Sequence, residues 1–125
     1  MIVTDERVAR FVGERCETII YPPFTAMGIE RNGEITAGVV FNAYTGNDIE
    51  LTAAGGPFGR DFIVAVGEYV FGKIGCLRMS ITTEQQKVIE LAQRLGAQTE
   101  GLKRNHFGKG RDGTILGILR EDWNY

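Results

Sequence analysis

Two cysteines, one histidine and three prolines are all that this chain of 125 residues carries of those types. Cys16 and Cys76 lie far apart and form no Cys-x-x-Cys pair, so neither a zinc pattern nor a disulfide framework is present. Two buried thiols in a reducing compartment are expected instead. His106 has no companion ligand cluster and no Gly-x-Ser-x-Gly elbow, which leaves no metal site and no serine-hydrolase arrangement; it reads as a solvated loop residue. No apolar run approaches the roughly 20 residues needed to span a bilayer. The opening MIVTDERVARF is charged from Asp5 onward and lacks the apolar stretch of a signal peptide, so a cytoplasmic protein with no membrane partner is expected. A basic excess is missing too. Lys and Arg number 14 against 16 Asp and Glu, a net charge of −2, which argues against a nucleic-acid partner. Repeats, low-complexity tracts and long linkers are absent, and a single domain over residues 1–125 is expected.

What is present is well punctuated. Thr4 can cap a helix running to about Arg15, with Asp5 and Glu6 at the positive end of its dipole and Val8, Phe11 and Val12 on one stripe. The prolines of Tyr21–Phe24 end that direction. Three strands are expected next, over Phe24–Arg31, Glu34–Tyr44 and Ile49–Ala54. Asn32-Gly33 joins the first two as a tight hairpin, because both residues tolerate positive φ, and Thr45–Asp48 makes the second turn. GGPFGRD, Gly55 to Asp61, is a glycine-rich loop opening a helix with Ile63, Val66, Val70 and Ile74 on one face. A strand over Cys76–Thr82 follows. Thr83 and Gln86 fit a capping box for a helix carrying Val88, Leu91, Ala92 and Leu95, and Gly96 stops it. Two strands, Ala97–Arg104 and Gly113–Arg120, flank the polar loop NHFGKGRD. Gly96 is expected to turn the first of them back beside Cys76–Thr82.

Strand, helix and strand in the middle imply a parallel pair with a right-handed crossover. The flanks imply antiparallel pairing. The expected fold class is α+β, a mixed, mostly antiparallel sheet with helices on both faces.

The stretch TTEQQKVIELAQRLGAQTEGLKRNHFGKGRDGTILGILREDW, Thr82 to Trp123, resembles the GNAT superfamily of coenzyme A-dependent N-acetyltransferases. The similarity is greatest to the branch that modifies ribosomal-protein N-termini and its small bacterial and phage relatives. In that branch a helix ends in Leu-Gly-Phe, a strand with Glu-Gly and a downstream Arg follows, and a last strand closes near Arg-x-x-Trp. Here those elements are Leu95-Gly96-Ala97, Glu100-Gly101, Arg104 and Arg120 to Trp123. The element order from Phe24 onward also fits the family.

The resemblance implies transfer of an acetyl group from acetyl-CoA to an amine-bearing acceptor, a peptide or a small molecule. It places the pyrophosphate at backbone N–H groups of a helix N-terminus, here Gly55, Gly56 and Gly59, with Arg60 adding a charge. The family's loop pattern fits in two registers, Gly56–Asp61 or Arg60–Ala65, and the same glycines would also serve an ordinary strand-to-helix turn. A backbone N–H among Leu51, Thr52, Ala53 and Ala54 would polarise the thioester carbonyl. Gln85 stands in place of the family's Asn at the start of the last helix. Ala92 falls where the family often carries the Tyr that protonates the thiolate, which leaves Tyr69, Tyr44 or water as the acid. Glu50 is the first candidate for the base and Asp48 the second. The pantetheine arm is expected between Ile49–Ala54 and Cys76–Thr82. Trp123 and Tyr125 are expected to close the core or contribute to a dimer surface, which makes a homodimer one expected assembly. The alternative is a GNAT-like protein that binds coenzyme A without transfer, or a phage-derived interaction protein.

Overall fold

Asp5, rather than Thr4, starts the first helix. In the computed structural model, which describes residues 1–125, helix α1 spans Glu6–Cys16 and the Asp5 carboxylate accepts from the Arg7 amide at 3.0 Å. A carboxylate at this position meets both the orphan N–H groups and the dipole, which a Thr hydroxyl does less well. Glu17 ends the helix in the left-handed region at φ 53°.

Before α1, Ile2–Val3 form a short strand, β1, that the sequence did not signal because two residues carry no periodicity. It pairs antiparallel with β2 (Phe24–Arg31). Asn32 and Gly33 both take positive φ, 52° and 82°, and join β2 to β3 (Glu34–Asn42), as their sequence predicts. Strand β4 covers Glu50–Gly55. Helix α2, Arg60–Gly67, does not continue as a plain α-helix over the expected length but widens into a π-helical stretch at Glu68–Lys73. Strand β5 spans Arg78–Thr83, helix α3 Gln86–Arg94, β6 Gln98–Gly108 and β7 Arg111–Leu119.

One sheet contains all seven strands in the order β1-β2-β3-β4-β5-β7-β6. Every pairing is antiparallel except β4 with β5. The mixed, mostly antiparallel α+β arrangement expected from the sequence is therefore present. Two local expectations are overturned. The segment after Gly96 does not re-enter beside β5; β7 takes that place, with Met79 opposite Ile118, and β6 lies at the sheet edge. The polar run after Arg104 is largely strand, because β6 and β7 form one long hairpin whose turn is Lys109-Gly110. Polarity suggested a loop there, but an edge strand exposed on both faces tolerates polar residues equally well.

Helix α1 covers one face of the sheet. Val8 and Val12, both fully buried, pack with Ala26, Val40 and Ala54. The close approach depends on Gly38, where a Cβ would come within 2.8 Å of Val8. On the other face α2 and α3 cover the larger cluster, which includes Phe41, Leu51, Phe62, Met79, Leu116 and Ile118. Trp123 packs against it, and its indole lies directly on Gly67, where no larger residue fits.

Candidate functional site

Strands β4 and β5 are paired only at Glu50–Ser80 and Leu51–Ile81. Beyond those pairs they part, between the two strands where the family resemblance implied a gap. The Ile49 carbonyl accepts from Ser80 at 2.9 Å, so residues 49, 51 and 53 direct their backbone polar groups toward β5. At Ala53 the β5 ladder has ended. Its carbonyl instead accepts from Gln85 Nε2 at 2.8 Å, and the Cys16 thiol donates to the same oxygen at 3.5 Å. The Ala53 N–H faces the gap with no ladder partner on that side. Burial pushes the Cys16 thiol pKa up, and the Glu84 carboxylate adds to the effect.

Gln85 owes its position to a local departure from the capping-box pattern. Thr83 Oγ1 accepts from the Gln85 amide at 3.0 Å, and α3 starts only at Gln86. The turn leaves the Gln85 side chain free of any cap and directs it across to β4.

At the end of β4 the chain enters the glycine-rich loop. Gly55, Gly56 and Gly59 have φ of 79°, 146° and 73°, a conformation that side-chain-bearing residues resist. The Gly56 amide is bonded within the protein, to Thr36 O at 3.1 Å. The amides of Phe58 to Phe62 are not: the first bond of α2 is Ile63 N–H to Gly59 O, and no side chain caps the helix.

Of these residues, Phe58, Gly59 and Arg60 border a cleft of about 1310 Å³ between the loop, β3 and α3. Arg15, Arg60, Lys87 and Arg94 line it, with Glu34 the sole acidic residue among its lining. None of the four cations pairs with a carboxylate; Arg60 stacks over Tyr125 at 5.0 Å and Arg15 over Phe11 at 4.7 Å. The sequence signalled Arg60 only. Arg15, Lys87 and Arg94 come from other elements, and nothing in their spacing announced a common site.

On the opposite face of β4, Glu50 is half-buried and accepts from Thr82 Oγ1 at 2.8 Å. Asp48 is committed elsewhere: Ser80 Oγ donates to it at 2.8 and 2.9 Å, and Arg78 lies 3.5 Å away before gripping Glu100 with both terminal nitrogens. Tyr69 is not near Glu50. Its ring meets Phe41 edge-on at 4.9 Å and its hydroxyl bonds Thr25 at 2.7 Å, both on the Leu51 face of the sheet. Tyr44 donates to Ile74 O at 3.1 Å. Ala92 is buried beneath the gap, among apolar side chains. His106 is exposed, against Phe107.

No family model matches the chain, and no curated protein matches it by sequence. Solved structures do. A mutant form of spermidine N-acetyltransferase SpeG from Vibrio cholerae aligns with a TM-score of 0.71 at 16% identity over 97% of this chain and 94% of that one. Spermidine/spermine N-acetyltransferase SpeG from the same organism gives 0.71 at 14%, over 97% and 92%. The dodecameric form of the V. cholerae enzyme in an intermediate state gives 0.72 at 16%, over 97% and 94%. The chain has the fold of the GNAT N-acetyltransferases.

Proposed function

We propose that the protein is a coenzyme A-dependent N-acyltransferase that moves an acyl group, acetyl in the simplest case, from a thioester to an amine. The observation that carries this is the row of unpartnered amides from Phe58 to Arg60 beside four unpaired cations, at the end of a strand that has parted from its neighbour. Backbone N–H groups at a helix N-terminus, aided by the dipole, suit a diphosphate, and Arg60, Lys87 and Arg94 suit its remaining charge. The loop glycines Gly55, Gly56 and Gly59 let the backbone approach closely.

When bound, coenzyme A supplies a thioester, an acyl group already activated for attack by an amine. The chain's own groups do the rest. The Ala53 N–H is aimed into the gap, where it can donate to a carbonyl oxygen as negative charge develops. Leu51 and Thr52 shape the same strand. Gln85 gives up the Ala53 carbonyl to an amide-bearing arm lying along β4. Glu50, on the far face of the strand, takes the proton of an amine arriving from that side. The thiolate leaves without help from Tyr69, which is engaged with Thr25. A thiol with a pKa of about 8.5 is a tolerable leaving group near neutrality without an acid.

For the acceptor, an amine of a peptide N-terminus and a polyamine of the kind named for the solved neighbours both suit the polar face around Glu50. A second reading, coenzyme A binding without transfer, is favoured by the apolar surroundings of Ala92.

The two separate in one experiment. Acetyl-CoA should raise the melting temperature, and free thiol should appear on addition of an amine panel containing peptides and polyamines. A melting shift with no thiol release from any amine supports binding alone. No shift at all removes both.

A further inference from the structure

Beneath the gap between β4 and β5 lies an apolar void of about 60 Å³. Leu51 and Ala53 of β4 and Ile81 of β5 bound it on the sheet side, and Val88 and Ala92 of α3 on the helix side. Phe58, Ile63 and Leu91 line both this void and the cationic cleft, so the two are separated by a single layer of side chains. Protein interiors are otherwise packed as densely as organic crystals, and a void of this size is an exception that leaves its lining without contacts.

We propose that this void is an acyl-chain pocket, and that the thioester used by this protein carries a neutral acyl group of three or four carbons in preference to acetyl. The inference rests on the transferase assignment made above. Three features argue for it. The void sits at the strand whose residue 53 faces the gap, where the acyl carbon of a thioester held along β4 would lie. Its size, about 60 Å³ against about 150 Å³ for an engineered apolar cavity that holds the six carbons of benzene, accommodates about two further carbons. Its lining is entirely apolar, and no buried side-chain polar atom in the protein lacks a partner. Its side chains therefore offer an acyl carboxylate no hydrogen-bond donor, which disfavours dicarboxylic acyl groups.

Ala92 is the determinant. It is 2% exposed and sits on α3 one turn from Val88. A larger residue at this position would occupy the space itself.

Unreactive thioethers test the pocket without turnover. Binding of coenzyme A and its S-ethyl, S-butyl and S-hexyl derivatives would be measured by calorimetry. Each buried methylene is worth about 0.8 kcal/mol, or about fourfold in affinity. S-butyl-CoA should therefore bind on the order of tenfold tighter than S-ethyl-CoA, and S-hexyl-CoA should show no further gain. In Ala92→Leu the butyl-to-ethyl ratio should collapse to about one; Ala92→Val serves as the smaller change should leucine overpack, with thermal melting confirming that each variant is folded. If coenzyme A binds but the ethyl and butyl derivatives bind equally to the native protein, the void is a packing defect and the acyl proposal fails while the transferase assignment stands. If coenzyme A itself does not bind, both fail.

Discussion

The Gln85 side chain donates to the Ala53 carbonyl at 2.8 Å, bridging β4 to the start of α3 across the place where β4 and β5 separate. The bond satisfies an acceptor that the parted strand would otherwise leave open. In the binding mode proposed above, an amide of the ligand takes the place of this bond.

Gln85→Ala should therefore destabilise the free protein by about 1 kcal/mol, the usual net value of such a bond, or roughly 4 °C in melting temperature for a chain of this size. With saturating coenzyme A the gap between variant and native protein should shrink, because the ligand takes over the Ala53 carbonyl. A gap that widens on ligand addition would mean that Gln85 keeps its place and binds the ligand itself.

Glu50→Gln keeps the shape of the side chain and its bond with Thr82 while removing the base. Turnover should fall by about a hundredfold, within the usual range for general-base catalysis, with KM changing much less. Unchanged turnover between pH 6 and 9 would take Glu50 out of the mechanism.

Arg60 and Arg94 approach the cleft from different helices, one before the gap and one after it. Replacing either by Ala should weaken coenzyme A binding by about 1–3 kcal/mol if each donates to phosphate. The salt dependence of binding should flatten in the double variant. The fragment 4′-phosphopantetheine should be less affected than the full cofactor. Equal binding by native and double-variant protein would leave the loop with a structural role only.

Asp5 carries a pH-dependent share of stability. Its hydrogen bonds from Arg7 lower the carboxyl pKa from 3.8 to about 2. A depressed carboxylate stabilises the fold above its unfolded pKa, and that contribution is lost as pH falls from about 4 through about 2. Glu84 is shifted the same way by Arg111. Asp5→Asn preserves a good cap but cannot titrate. The stability difference between native and variant protein, followed by circular dichroism in urea, should be largest near neutrality and close between pH 4 and 2. A difference independent of pH would show that the ion pair with Arg7 adds nothing.

The elements were legible where local chemistry decides them. Asn32-Gly33 can hardly be anything but a turn between two apolar runs, and Gly55, Gly56 and Gly59 announce a backbone that side chains could not follow. The hydrophobic stripes of α1 and α3 show in the spacing of Val8 and Val12, and of Val88 and Ala92. The ends of the elements were less legible. Asp5 displaced Thr4 as the cap because both residues can cap, and only the contact with Arg7 separates them. The segment after Arg104 became strand because it bulges between two pairs with β7, Lys103–Gly113 and Gly108–Arg111, which composition cannot foresee.

The site divides along the same line. Periodicity, turn residues and the order of the elements are properties of neighbouring residues, and they determined the mixed sheet and its parallel pair; the position of the gap was expected only from the family resemblance. The meeting of Arg15, Arg60, Lys87 and Arg94 on one cleft was decided only by the tertiary structure. So were the reach of Gln85 to Ala53, the separation of Glu50 and Tyr69 onto opposite faces, and the void beside Ala92. Each depends on how elements distant in sequence are brought together, and a side chain's spacing along the chain carries no record of what lies across from it.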